Sequence, residues 1–292
     1  MKLAPGFVLP VDKPEGPTSH DIVDAARRGL GIRKVGHTGT LDPFASGLLL
    51  LCVGRATRLA EFLSGLDKVY EATALLGVRT DTLDRDGEVV EERSGWEALS
   101  ADEIGGALGA LRGTLSQVPP QFSAKKVSGV AMHRRARRGE HVELSAHPVT
   151  VHDIELIGVD LPSVRFRVRC SSGTYVRALA RDLGEGLRVG AHLTALRRTA
   201  IGSVDVADAL EVSALGDAGA VAAARIDPLR ALAHLPAVHV GPEDADRLVH
   251  GQRVHGHEGI PSGLVAVAAE GRLLAIADAG EGILRPRKVF AG

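Results

Sequence analysis

The sequence predicts an α+β protein with a small, mostly β unit at its C-terminal end, on three observations. Capped helix signatures alternate with apolar strand signatures along most of the chain. One strand alternates strictly between apolar residues and arginines. Near Pro236 the pattern changes to short β-like runs joined by glycines.

Taken in order, TSHDIVDAARRGLG reads as the first helix, with Thr18 or Ser19 as N-cap, Asp21 in the first turn and glycines at its end. GLLLLCVG is short, continuous and apolar, which suits a buried strand, and KVYEATALLGV reads as another. LSADEIGGALGALRG is a second helix, with Ser100 and Glu103 at capping-box spacing. In SVRFRVRC, Val164, Phe166, Val168 and Cys170 alternate with Arg165, Arg167 and Arg169, as in a strand with one buried face. The following SSG turns the chain into a helix on which Arg177, Arg181 and Arg188 fall within about 40° of one face. Those arginines present a cationic face, unless Arg181 and Arg188 pair within the helix with Asp182 or Glu185. Val212 to Leu232 is alanine-rich and reads as helical, with DPLRALAHLP as a boundary. GPEDADRLVHG reads as a short helix started by a proline, and GLVAVAAEGRLLAIADA as strands with glycine turns. The chain therefore divides into residues 1–232 and a small β domain over 236–292.

With 292 residues, 45% of them apolar, the chain is long enough and greasy enough for a sizeable core. Cys52 and Cys170 lie far apart inside apolar or alternating runs, which suggests buried thiols rather than a disulfide framework or a zinc spacing. MKLAPGFVLPVDKPEG lacks the apolar segment of a secretion signal, and no stretch approaches the roughly 18 apolar residues of a membrane span. A cytoplasmic protein is expected. The net charge of −1 argues by itself against a nucleic-acid partner, but the charge is unevenly spread. The segment at about 121–140 holds Lys125, Lys126, Arg134, Arg135, Arg137 and Arg138, with no acid from Gln121 to Gly139. Such a run can neutralise several phosphates, and it also suits a solvated surface helix or loop.

Among the motifs, DTLDRDGEVVEER fails as a calcium loop. With Gly87 at the sixth position the twelfth is Arg93, so the bidentate acid is missing. GEGLRVG ends a helix rather than following a strand, which excludes a dinucleotide loop. GHTGTLDP remains: its glycines let backbone approach a ligand, and its threonines can hydrogen-bond one. Alone, Asp42 before Pro43 reads as a turn residue.

Five motifs in order carry a family resemblance. DKPEGPTS, KVGHTGTLDPFASGLLLL, KVYEATALLGVRTDTLDRDGE, QVPPQFSAKKVSG and SSGTYVRALARDLG, closed by AHLTALRRTAIG, span Phe7 to about Gly202. Together they resemble the bacterial tRNA pseudouridine synthase B (TruB) family, which isomerises the uridine at position 55 in the T arm of tRNA. The resemblance implies a mixed, mainly antiparallel sheet flanked by helices, and a C-terminal PUA-type, barrel-like domain that contacts the acceptor side of tRNA. It implies no cofactor and a monomer.

Carried over residue by residue, the resemblance makes Asp42 the nucleophile and Arg177 the cation that pairs with it and keeps it ionised. Tyr70 matches the ring that stacks on the target base and the candidate for helping to remove its C5 proton. Leu196 matches the residue that closes the pocket, His37 the one that braces the RNA, and Lys13 one that holds the loop or a phosphate. Lys125, Lys126, Arg134 and Arg135 lie where the family grips RNA. His133 stands where members commonly carry a tyrosine, so no role is carried to it.

This assignment fits the chemistry. The bond from N1 to the ribose must break, the uracil must rotate, and C5 must join the same sugar carbon. A carboxylate can serve by adding to the ribose carbon, by adding to C6 of the base, or by removing the 2′ proton. A stacked uridine must first be flipped out. The competing reading is a non-catalytic tRNA-binding or RNA-chaperone protein on the same fold, with Asp42 structural. A metal-free hydrolase using Asp42 has no second acid beside it in the sequence.

Overall fold

The computed structural model describes residues 6–120, 126–127, 130–131, 145–256 and 259–290. Lys125, His133, Arg134 and Arg135 lie outside the described residues, and Lys126 is described only as backbone of a short strand.

The chain runs through β1 (Phe7–Lys13), α1 (Ser19–Leu30), β2 (Val35–His37), β3 (Ser46–Val53), α2 (Ala60–Ser64) and β4 (Lys68–Leu76). A hairpin of β5 (Val78–Thr80) and β6 (Val89–Glu92) precedes α3 (Ala101–Gly109) and β7 (Gly113–Gln117). After the short pair β8 (Lys126–Val127) and β9 (Val130–Ala131) come β10 (His147–Asp160), β11 (Ser163–Cys170), α4 (Val176–Gly186) and β12 (Ala191–Ile201). The short β13 (Val204–Asp205) and β14 (Leu210–Glu211) complete a ten-stranded sheet. Its main path is β14-β1-β3-β12-β4-β11-β10-β7, with β2 beside β3 and β13 beside β12. Only the β1–β14 and β3–β12 pairs are parallel, so the expected mixed, mainly antiparallel sheet is present among the described residues.

Local chemistry accounts for the elements. Thr18 caps α1 in a capping box with Asp21, and Gly31 closes the helix at φ 65°, a left-handed value glycine adopts without strain. Ser100 and Glu103 make the same box on α3. On β11, Val164, Phe166, Val168 and Cys170 are all fully buried, and Arg167 reaches outward to Glu71 at 2.8 Å and Glu155 at 3.4 Å. Strand β3 is covered on both faces, as its unbroken apolar run requires. Leu49 and Leu51 pack towards α1, while Leu48 and Leu50 face the other way. Both cysteines are buried and free; burial pushes the Cys52 thiol up to about 12 and the Cys170 thiol up to about 11.

Two expectations are corrected. Val212 to Leu232 is not one helix but a 3₁₀ turn (Val212–Gly216), α5 (Ala218–Ala224) and α6 (Pro228–Ala231). Asp217 and Asp227 each cap a new start, and Ile226 between them bridges to Val8, which outweighs alanine propensity. Helix α4 also stops short of Arg188, which sits at φ 64° beyond its end. Arg181 pairs with Asp182 at 2.8 Å, so the arginines do not form a common face.

The C-terminal unit holds β15 (Ala237–His239), α7 (Pro242–Val249), β16 (Val254–His255), β17 (Gly263–Ala269), β18 (Arg272–Gly280) and β19 (Ile283–Val289). The sheet order is β15-β17-β18-β19-β16, around a core that includes Leu248, Val265, Val267 and Leu284. A second apolar cluster joins the units: Ala266, Leu273 and Ile276 pack with Leu48, Leu50 and Leu59. Arg58 donates to the Val289 carbonyl and lies over the Phe290 ring, and Lys288 pairs with Glu61. No helix among the described residues is long and apolar enough to cross a membrane.

Candidate active site

Asp42 lies in the loop between β2 and β3 rather than on a strand. That loop lacks a β-ladder, yet each carbonyl from Gly39 to Pro43 has a donor. Arg198 Nη2 serves Gly39 at 3.1 Å and Nη1 serves Thr40 at 3.4 Å. The Ser19 hydroxyl donates to the Leu41 carbonyl at 3.1 Å and accepts from the Leu41 amide at 2.8 Å. The Ala45 amide closes on the Asp42 carbonyl at 3.1 Å, and the Gly16 amide on Pro43 at 2.8 Å. Lys13 Nζ also reaches the Pro43 carbonyl at 3.3 Å, and those of Pro14 and Pro17 at 2.9 and 2.8 Å. Lys13 is fully buried, and its three donors tie the turn between β1 and α1, at Pro14 and Pro17, to the Asp42 loop at Pro43. Burial lowers its pKa to about 8.

Arg177, on the first turn of α4, is 4% exposed and joins two carboxylates. Its Nε lies 3.0 Å from Asp42 Oδ2, and its Nη1 lies 2.9 Å from Asp84 Oδ2 and donates to the Thr82 carbonyl at 2.8 Å. Asp84 is itself buried, and its Oδ1 accepts from the Thr82 hydroxyl at 2.6 Å and the Asp86 amide at 3.1 Å. Leu83, held at φ 63°, turns the chain here, a conformation unusual for leucine and fixed by backbone bonds to Thr80 and Leu193. The start of α4 is fixed too: the Gln117 amide group accepts from the Tyr175 N–H at 2.8 Å and donates to its carbonyl at 3.2 Å.

The Asp42 side chain is 36% exposed, with the rest of its surface against the wall of a cavity of about 450 Å³. Burial accordingly pushes its carboxyl above the ordinary range; Arg177 and Lys13 pull it back, and the Asp84 charge adds to the rise. The expected pairing with Arg177 is present, but it does not outweigh desolvation. Tyr70 and Leu196 line the same cavity and are nearly buried, at 8% and 6% exposure. Burial raises the Tyr70 phenol, and the Arg198 charge acts in the opposite direction. Lys68 joins this lining, its amine lowered by burial to about 8 and bonded to the Ser64 and Leu66 carbonyls. His37 lines an adjoining cavity of about 680 Å³ that shares Asp42 and Arg177 as its wall. Burial, then the Arg198 charge, lowers the His37 pKa, which favours a neutral ring at pH 7.

Known proteins match this chain along its whole described length. The TruB family pseudouridylate synthase N-terminal domain matches residues 27–176. The chain belongs to the TruB family. The C-terminal domain of tRNA pseudouridylate synthase B matches residues 177–235, and the C-terminal domain of pseudouridine synthase II TruB matches 236–290. The tRNA pseudouridine synthase B of Thermobifida fusca (strain YX) is 47% identical over 302 residues, covering 99% of this chain and all of that protein. That of Ralstonia nicotianae (strain ATCC BAA-1114 / GMI1000) is 43% identical, covering 97% of this chain and 93% of that one. Among solved structures, an H/ACA RNP bound to a substrate RNA containing 2′-deoxyuridine has a chain with TM-score 0.77 and 25% identity, covering 98% of this chain and 85% of that chain. A Cbf5-Nop10-Gar1 complex has one with TM-score 0.76 and 28% identity, with the same coverage.

Sequence reasoning missed four residues of this TruB site: Asp84, Gln117, Lys68 and Arg198. Asp84 lies inside a motif quoted for the resemblance, and its neighbours in the acidic string gave it no distinction. Gln117 and Arg198 owe their roles to partners 58 and more than 150 residues away.

Proposed function

We propose that this chain converts uridine to pseudouridine in the T arm of tRNA, at position 55, using Asp42 as the nucleophile on a flipped-out base. The observation that carries this reading is the Asp42–Arg177 pair at 3.0 Å, set in a cavity that Tyr70 and Leu196 also line. Arg177 aims the carboxylate and offsets its desolvation. Tyr70 stacks on the base and assists removal of the C5 proton, while Leu196 closes the cavity. Half-buried His37, neutral and planar, braces the RNA where the uridine has left the stack. Lys125, Lys126, Arg134 and Arg135 grip the phosphates of the arm. Residues 1–232 form the catalytic domain, and the unit from 236 onward is the PUA-like domain that meets the acceptor side. The protein acts in the cytoplasm as a monomer.

The test exposes unmodified tRNA, tritiated at uridine C5, to the wild type and to Asp42→Asn, and counts released tritium. Release by the wild type and none by the variant is expected. Silence from both, with tRNA still bound, favours the chaperone reading.

A further inference from the structure

Arg198 heads the large, fully buried side chains among the described residues, at 1% exposure. A guanidinium taken into a core costs several kcal/mol unless its donors are met. Here they are met by backbone: Nε on the Leu48 carbonyl at 2.7 Å, Nη2 on Gly39 and Nη1 on Thr40. Gly39 and Thr40 are the residues that lead the chain into Asp42.

Strand register supplies the other half. Arg198 lies opposite Tyr70 across the β12–β4 pair and opposite Gly47 across β12–β3, and Arg198 and Tyr70 line the same cavity as Asp42. Gly47 makes that closeness possible, since a Cβ there would sit 2.2 Å from the Arg198 carbonyl oxygen.

We propose that Arg198 is a positioning residue that sets Asp42 against Tyr70, its planar fork locking the loop that delivers the carboxylate while its place on β12 holds that loop beside the phenol. The proposal rests on reading Asp42 and Tyr70 as the groups that act on the uridine. Geometry is one part of its effect: a misplacement of about 1 Å at such a site costs on the order of 100-fold in rate. Charge is the other, because the cation favours phenolate at Tyr70 in surroundings that otherwise disfavour it. Lysine would keep the charge but lose the fork.

Single-turnover tritium release, tRNA affinity by filter binding and the rate from about pH 7 to 10.5 are compared for wild type, Arg198→Met and Arg198→Lys. Arg198→Met should bind tRNA within about twofold of wild type, release tritium about 100-fold more slowly, and shift the rising limb of its pH profile upward. Arg198→Lys should lose about tenfold in rate at unchanged affinity, with the limb in place. A rate for Arg198→Met within about threefold of wild type, or a loss of affinity that accounts for the loss of rate, overturns the proposal. If Arg198→Met does not fold, Arg198→Lys decides, and a wild-type rate from it is equally fatal. A silent wild type sinks the reading of Asp42 and Tyr70 together with this proposal; an active wild type beside an equally active Arg198→Met sinks the proposal alone.

Discussion

Replacing Arg177 by glutamine removes a side chain that touches both Asp42 and Asp84, and burial sets the size of the effect. At the Asp84 end the partners are 4% and 7% exposed. Breaking such a pair costs about 3–5 kcal/mol, because the remaining charge stays in the core. At the Asp42 end the carboxylate is 36% exposed, so its share is discounted to about 1 kcal/mol or less. For a chain of this size the sum lowers the melting temperature by on the order of 10 °C at neutral pH. The deficit depends on pH with a definite sign. Burial already holds the Asp42 carboxyl above its ordinary value, and without Arg177 it rises further. The folded variant then keeps a proton that the unfolded chain has lost, so its stability falls as pH climbs from the ordinary carboxylate value towards the raised one. Thermal melts followed by circular dichroism at several pH values should therefore show the largest deficit at neutral pH, shrinking towards pH 4. A deficit below about 1 kcal/mol, or one that ignores pH, would refute the buried network.

Three other outcomes are expected. Gly47→Ala should lose about 2–4 kcal/mol in urea unfolding, since φ is +103° and the new Cβ meets the Arg198 backbone at 2.2 Å; unchanged stability would contradict the close β3–β12 approach. Cys52 and Cys170, with thiols pushed up to about 12 and about 11, should resist alkylation at about pH 8 in the native protein and react once it is unfolded in guanidinium. Binding of tRNA should weaken steeply with salt, and replacing Arg134 and Arg135 by alanine should reduce the log–log slope by about 2; a flat response removes the basic segment from the interface.

What the sequence made legible was what depends on neighbours in the chain. The capping boxes at Thr18 and Ser100 and the alternation through Phe166 are local patterns, and each forms as read. The caps at Asp217 and Asp227 were equally local but were masked by the alanines around them. Asp42 and Arg177 became partners only through the family resemblance, since 135 residues separate them and no periodicity links them. Arg198 and Lys13 show why the rest was hidden. Their charge argues for solvent, and only packing reveals that the backbone around Asp42 needs their donors.

The apolar cluster that β3 shares with the C-terminal sheet has a consequence for what the molecule measures. The strand that begins just after the Asp42 loop contributes Leu48 and Leu50 to the same apolar cluster as Ala266, Leu273 and Ile276, so packing, not a tether, sets the spacing of the two units. On the proposed function, the molecule is a gauge with two jaws. An RNA that presents its uridine at one jaw must offer its second contact at a fixed separation, and a stem of the wrong length or bend misses it. Removing the chain beyond residue 236 would uncover the apolar side chains of this shared cluster and discard the gauge along with the jaw.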